Sequence, residues 1–428
     1  MLDLIPSLLP ALQAARIPGI SLDGEFQHPQ YAGGSILNIP PTLGILFGLA
    51  GPGRAGPLSA AILDPLQALA QGATRVIFVL IDALALHRFK SWQEQGDLPV
   101  WEELGQNGLI APLTSVVPST TSSALPTLWS GWSPAEHGWV GYELWLKEYG
   151  VVANMITHSP FRIPGQLEKA GFKPEEALAD PSLGSFLKRA GVKTYAFQHN
   201  AIAKSGMSRM FLKDTDVIGF QTNGELLANL RRLIESTPGE RQLIGVYWGE
   251  VDFLSHNYGP DDERPRSEFR FFSRMFDELF LGKLSAARRA ETLLILTADH
   301  GQIDTPLREQ YDLKNHPNLT RRLSILPTGE NRLVYFNIRP GQTEAVRDYL
   351  NRTFPGQFAQ LEPGYAIQQG LFGPGQPHPR LRERTGDLIA VARGNAYLWW
   401  GDAPSPITGR HGGLTAEEML VPFLAARL

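Results

Sequence analysis

Residues Arg75 to Asp82 read RVIFVLID. Six consecutive apolar residues, Val76 to Ile81, run up to a single carboxylate. An unbroken β-rich apolar run suits a strand covered on both faces, as in a parallel sheet with helices on either side. Asp82 then falls at the carboxyl end of that strand, where open α/β sheets collect their ligands. A carboxylate held there is costly unless it meets a cation or hydrogen-bond donors.

The same rhythm recurs outward from this strand. Strand patterns appear at LIAPLTSVVP (109–118), VVANMI (151–156), VKTYAFQHN (192–200), RQLIGVYWGEVD (241–252) and ETLLILTADHGQ (291–302). Helical patterns fall between them, near 85–107, 182–191, 224–235 and 265–290. The expected fold is α/β, a central mostly parallel sheet flanked by helices in three layers. From 319 to 395 the pattern changes to short strands with one helix, through a TGEN turn at 328–331 and TEAVRDYLNRTF at 343–354. This reads as a small α+β insertion. The expected division is a core of 1–318 and 396–428 around an insertion of 319–395. His378, in a Pro-rich loop, is expected to be exposed.

Composition narrows the chemistry. The chain has 428 residues, a formal net charge of −4 and no long basic run, which argues against a nucleic-acid polymer as partner. Cysteine is absent, so any metal must be held by histidine and carboxylate. The N-terminal stretch has an early Asp3, no basic segment, and Pro6 and Pro10 within it. It reads as an amphipathic helix or arm, not a signal peptide. No apolar stretch reaches the ~20 residues of a membrane span, and a cytoplasmic location without membrane contact is the expectation.

One loop and six aspartate or histidine residues stand out. PSTTSSALPTLWSGWSPAEHG, Pro118 to Gly138, is a hydroxyl-rich entry into a helix, with Ser119, Thr120 or Thr121 near its cap. A helix N-terminus offers free N–H groups and partial positive charge to an anion, and a hydroxyl there becomes a nucleophile if its pKa is lowered. Asp252 and His256 are spaced i, i+4, which turns both to one side of a helix. Asp299 and His300 are adjacent before Gly301, read as permitting a tight turn. His411 stands between Arg410 and two glycines. Three aspartates (Asp82, Asp252, Asp299) and three histidines (His256, His300, His411) around one hydroxyl are what a two-metal site needs. The N/O donor set suits Zn²⁺, with Mn²⁺ as the alternative.

The motifs VLIDAL, VPSTTSSALPTLWSGWSPAEHG, VDFLSHNYG, LTADHG and GRHGG, in that order, resemble the alkaline phosphatase superfamily, and within it the type I phosphodiesterase/nucleotide pyrophosphatase family. The resemblance implies an alkaline-phosphatase-like core. It implies Thr121, three residues after Pro118, as the nucleophile. It implies one cation held by Asp82, Thr121, Asp299 and His300, and a second by Asp252, His256 and His411. Diesterase relatives often carry an Asn three residues after the nucleophile, where this chain has Ala124, and a Pro before the DxxxH aspartate, where it has Val251. The loop lacks the arginine with which classical monoesterases grip phosphate, which favours diesters.

The expected function is a metal-dependent hydrolase of phosphodiester or pyrophosphate bonds, acting on a small phosphorylated substrate such as a nucleotide through a phosphoryl group on Thr121. The alternatives are a phosphomonoesterase or phosphonate hydrolase on the same core, and a non-catalytic binding protein on the fold.

Overall fold

The computed structural model describes residues 2–22, 24–160, 163, 165–178 and 181–428. Its main sheet has eight strands in the order Leu2–Asp3, Gly108–Thr114, Leu420–Arg427, Thr292–Thr297, Arg75–Ile81, Gln242–Trp248, Lys193–His199, Asp216–Phe220. Every pairing is parallel except those of Leu420–Arg427, which runs antiparallel to both neighbours. Helices cover the sheet, as the apolar runs require. All seven residues of Arg75–Ile81 and all six of Thr292–Thr297 are buried. The N-terminal helix is Ile5–Ala14. Among the described residues, no helix is long and apolar enough to cross a membrane.

Register, more than composition, positions the site. Leu80 lies opposite Thr297, and Ile81 opposite Trp248. Three neighbouring strands therefore finish at one edge and deliver Asp82, Asp299 and the helix bearing Asp252 to the same place. A two-stranded ribbon adds the last histidine: Ile303 pairs with Arg410 and Asp304 with Gly409, which draws His411 back over His300.

A second, antiparallel sheet has the order Phe358–Leu361, Leu388–Ala392, Leu333–Phe336, Thr328–Gly329, Glu143–Leu146, Val151–Asn154, Ser159–Pro160. Its strands come from two separated parts of the chain, joined where Gly329 pairs with Glu143. Alternation along its strands serves two cores. Leu333, Tyr335, Ile389 and Val391 join the main core. Val334, Phe336, Leu388, Ala390 and Ala392 pack into a smaller one with Val346 and Leu350 of the helix Thr343–Thr353.

Several local readings are corrected. The helix expected near 85–107 is two, Leu86–Glu94 and Pro99–Gln106. Gly96 between them takes a φ of 76°, and Pro99 restarts the helix at its first position. The stretch 265–290 is the helix Glu263–Met275, then tightened and widened turns through Lys283, then Ala286–Arg289. Asp252 is not at a strand end: the strand stops at Trp248, and Asp252 lies in the first turn of the helix Glu250–Tyr258. His378 is half-buried, not exposed, because its backbone N–H donates to the Ala135 carbonyl at 2.7 Å and docks the loop.

A buried ion pair fastens the second sheet to the loop after His411. Arg332 and Glu418 are both fully buried, with Nε–Oε1 at 2.7 Å and Nη2–Oε2 at 3.0 Å. Glu418 also accepts from the N–H groups of Gly413 and Thr415 at 2.8 and 3.1 Å. Arg332→Met would leave that carboxylate buried and unpaired. The expected loss of about 3–5 kcal/mol can be read from the denaturant midpoint.

Candidate active site

The hydroxyls of PSTTSS are separated by their partners. Ser119 Oγ donates to the Gly413 carbonyl at 2.7 Å. Thr120 is fully buried. Ser122 Oγ is buried without a partner. Thr121 opens the helix Thr121–Leu128 and is partly exposed, with its Oγ1 3.1 Å from His300 Nε2. Of these side chains, only that of Thr121 faces the acidic cluster.

Around His300 Nε2 three oxygens converge: Thr121 Oγ1, Asp82 Oδ1 at 3.4 Å and Asp299 Oδ2 at 3.4 Å. Both carboxylate oxygens are buried and have no hydrogen-bond partner. Their sister oxygens are engaged. Asp82 Oδ2 accepts from the Tyr247 phenol, and Asp299 Oδ1 from the N–H groups of Ala83 and His300 at 3.3 and 3.0 Å. Beside this group lies the second. Asp252 Oδ1 is 3.3 Å from His256 Nε2 and 3.7 Å from His411 Nε2. Asp252 also lies within 4.8 Å of the ligating atoms of Asp82 and His300, so it stands between the groups instead of belonging to one alone. All seven residues expected at the site are brought together.

The histidines share one tautomer. His300 Nδ1 is 2.9 Å from the Gly301 carbonyl, His256 Nδ1 2.8 Å from the Gly409 carbonyl, and His411 Nδ1 3.1 Å from the Ser119 carbonyl. A carbonyl only accepts, so each Nδ1 carries the proton and each Nε2 presents its lone pair to the cluster. His411 stacks on His300 with ring centroids 3.9 Å apart. Burial first, and then the imidazoles of His300 and His256, hold His411 well below its ordinary pKa, so it is neutral.

These donors fit divalent cations. Tetrahedral ligation at bonds of about 2.0–2.1 Å separates neighbouring ligand atoms by about 3.3 Å, and the spacings above are 3.1 to 3.7 Å. Without a cation the carboxylates oppose one another. Burial, then the charges of Asp299 and Asp252, push Asp82 well above the carboxylate range. Burial and Asp252 push Asp299 up to about 7.

Two supporting residues escaped the sequence reading. Tyr247 holds Asp82, and Gln302 donates from Nε2 to Asp252 Oδ1 at 3.0 Å. The backbone carbonyl of Gln302 is itself gripped by the buried Arg88 at 2.6 Å. A polar residue inside a buried strand was the available signal for Tyr247; for Gln302 there was only its place beside Asp299 and His300. Gln302→Leu should weaken binding of one zinc equivalent about 10–100-fold, as read by competition with a chromophoric chelator. One further expectation changes. Gly301 answers a close approach, since a Cβ there would collide with the Glu417 carbonyl oxygen. Ala124, three residues after Thr121, is fully buried and packs in the main core.

The profile of the family described as type I phosphodiesterase/nucleotide pyrophosphatase matches residues 76–414. Human ectonucleotide pyrophosphatase/phosphodiesterase family member 7 is 28% identical over 181 residues, covering 40% of this chain. The match spans only 37% of that protein's length. Among solved structures, an inactive form of murine ectonucleotide pyrophosphatase/phosphodiesterase 5 in complex with AMP has a TM-score of 0.60 at 18% identity, covering 82% of this chain and 87% of that one. Phosphonoacetate hydrolase from Sinorhizobium meliloti 1021, in complex with phosphonoformate, has a TM-score of 0.58 at 17% identity, covering 82% and 89%. At these identities the structural likeness speaks to the fold.

Proposed function

Because the chain belongs to the type I phosphodiesterase/nucleotide pyrophosphatase family, we propose that it is a metal-dependent hydrolase of phosphodiester or pyrophosphate bonds in small substrates, with Thr121 as its nucleophile. The observation that carries this reading is the convergence of Thr121 Oγ1 on His300 Nε2 beside two buried, unpartnered carboxylate oxygens. Asp82, Asp299 and His300 with Thr121 would hold one cation, and Asp252, His256 and His411 the other. Zn²⁺ suits this donor set. Two such ions supply Lewis-acid stabilisation of the attacking and leaving oxygens and lower the pKa of the Thr121 hydroxyl.

The chain's own residues then do the following. The Thr121 hydroxyl gives its proton to solvent water, Oγ1 attacks phosphorus, the Oγ1–P bond forms, and the P–O bond to the leaving group breaks, the leaving oxygen taking a proton back from solvent. The N–H groups of Thr121 and Ser122 have no partner among the described residues, and the helix N-terminus directs them at a phosphoryl oxygen. Water then forms a new P–O bond, Oγ1–P breaks, and Thr121 regains its proton. With Nδ1 bonded to a backbone carbonyl, each histidine turns Nε2 toward the site, where it would serve as the ligand atom.

Comparison of bis(4-nitrophenyl) phosphate with 4-nitrophenyl phosphate tests the substrate class. The diester should lead in kcat/KM by at least about tenfold, 1.4 kcal/mol in the barrier. A lead of that size for the monoester would reassign the chain to monoester hydrolysis.

A further inference from the structure

The helix Glu250–Tyr258 carries Asp252 and His256, and its circumference divides into three. Val251 and Ser255 are buried against the protein. Asp252 and His256 come next around the axis, with side chains 18% and 25% exposed. Phe253 follows, about 60° beyond His256. It is 60% exposed, the most open of the large apolar residues described. Residues three apart on a helix have Cβ atoms about 5–6 Å apart, so Phe253 borders His256 on the solvent side of the site.

Single exposed apolar residues are ordinary on a protein surface. This one differs in its place and in being uncovered. Nearby, the Arg264 guanidinium lies over the Tyr258 ring at 4.1 Å, and that of Arg270 over the Phe271 ring at 5.3 Å. Phe253 has neither a cation nor a ring partner among the described residues.

On the hydrolase reading above, Thr121 Oγ1 belongs to the group of Asp82, Asp299 and His300. In an in-line displacement the leaving oxygen departs opposite the attacking one, which sets it on the side of Asp252, His256 and His411. The substituent on that oxygen then runs outward past His256, and Phe253 is the next position out on the helix.

We propose that Phe253 is a specificity-determining residue that stacks on a flat aromatic ring carried by the leaving group. The role rests on the hydrolase reading and names the kind of leaving group this site favours.

The test compares bis(4-nitrophenyl) phosphate with methyl 4-nitrophenyl phosphate, which expels the same 4-nitrophenolate and differs only in the group retained on phosphorus. Phe253→Ala should lower kcat/KM for both esters by the same factor, roughly tenfold, the scale of one aromatic stack. Phe253→Tyr keeps the ring and should recover most of that loss. Zinc content and thermal unfolding should not move in either variant, since the side chain is neither a ligand nor buried. Thymidylyl-(3′→5′)-thymidine separates two sources of such a ring: a like loss extends the contact to a nucleoside base, and an unchanged rate confines it to aryl esters. A loss confined to the bis ester would put the ring on the retained group, and no loss on either ester would remove it from the cleft; each overturns the role. So does a Tyr variant as slow as Ala, or a loss that follows falling zinc content, which would trace to Asp252 and His256. Wild-type protein that cleaves neither ester would instead dispose of the underlying reaction, so the two failures are told apart.

Discussion

Thr121→Ala will reduce turnover by roughly 10⁴–10⁶-fold, the scale at which removing the nucleophile of a covalent mechanism registers, and the protein will remain folded with its cations in place. Loss of Oγ1 would remove the atom proposed to attack phosphorus. It leaves Asp82 and Asp299, each with a carboxylate oxygen 3.4 Å from His300 Nε2 without help from the threonine. The substitution is also structurally mild, since alanine is the best helix former and the Thr121 side chain makes no cap. Zinc content by elemental analysis and kcat by initial rates read the two halves separately. Retained activity would move the nucleophile elsewhere. The neighbouring hydroxyls are poor substitutes, because Ser119 is tied to Gly413 and Thr120 is buried.

Chelation is the second large effect. A metal-free protein should be inactive and less stable, with a deficit that widens as pH rises from about 5 to 7. In the folded chain Asp299 is pushed up to about 7 by burial and Asp252, and Asp82 is raised well above its ordinary value. In the unfolded chain both ionise near pH 4. Between those limits the folded state binds more protons than the unfolded one, so the contribution of these carboxyls to unfolding free energy falls with rising pH. Cation binding runs the other way, since the ligands must shed protons to bind and do so more readily at higher pH. At a free zinc concentration 1,000 times Kd the stabilisation is about 4 kcal/mol. Melting curves of chelated and zinc-loaded protein at both pH values isolate the site, because all other groups are common to the two forms. A gap that narrows toward pH 7 would contradict the assignment of these carboxylates as ligands.

How far the site could be read in advance follows from what each residue answers to. Val76–Ile81 and Leu293–Leu296 are covered on both faces, so their unbroken apolar runs announced the strands and the carboxylates beyond them. Asp252 and His256 announced themselves by spacing, although the strand and helix boundary between Trp248 and Glu250 did not. The tautomers of His256 and His411 were hidden, because they are set by carbonyls of Gly409 and Ser119 that are remote in sequence from the rings they orient. The break at Gly96 and Pro99 was visible in the letters and was overridden by the helical pattern on either side.

The second sheet constrains how this protein can be made and remade. Glu143–Leu146 is translated about 180 residues before Thr328–Gly329, the strand that closes its edge. Until then an apolar hairpin sits on or near the ribosome with one edge unpaired, open to other chains. Residues 319–395 are consequently not a detachable cassette. Excising them would strand that edge and remove Arg332 from beneath Glu418. A graft from a relative must carry the 143–160 hairpin with it, or the transplanted sheet arrives without its other half.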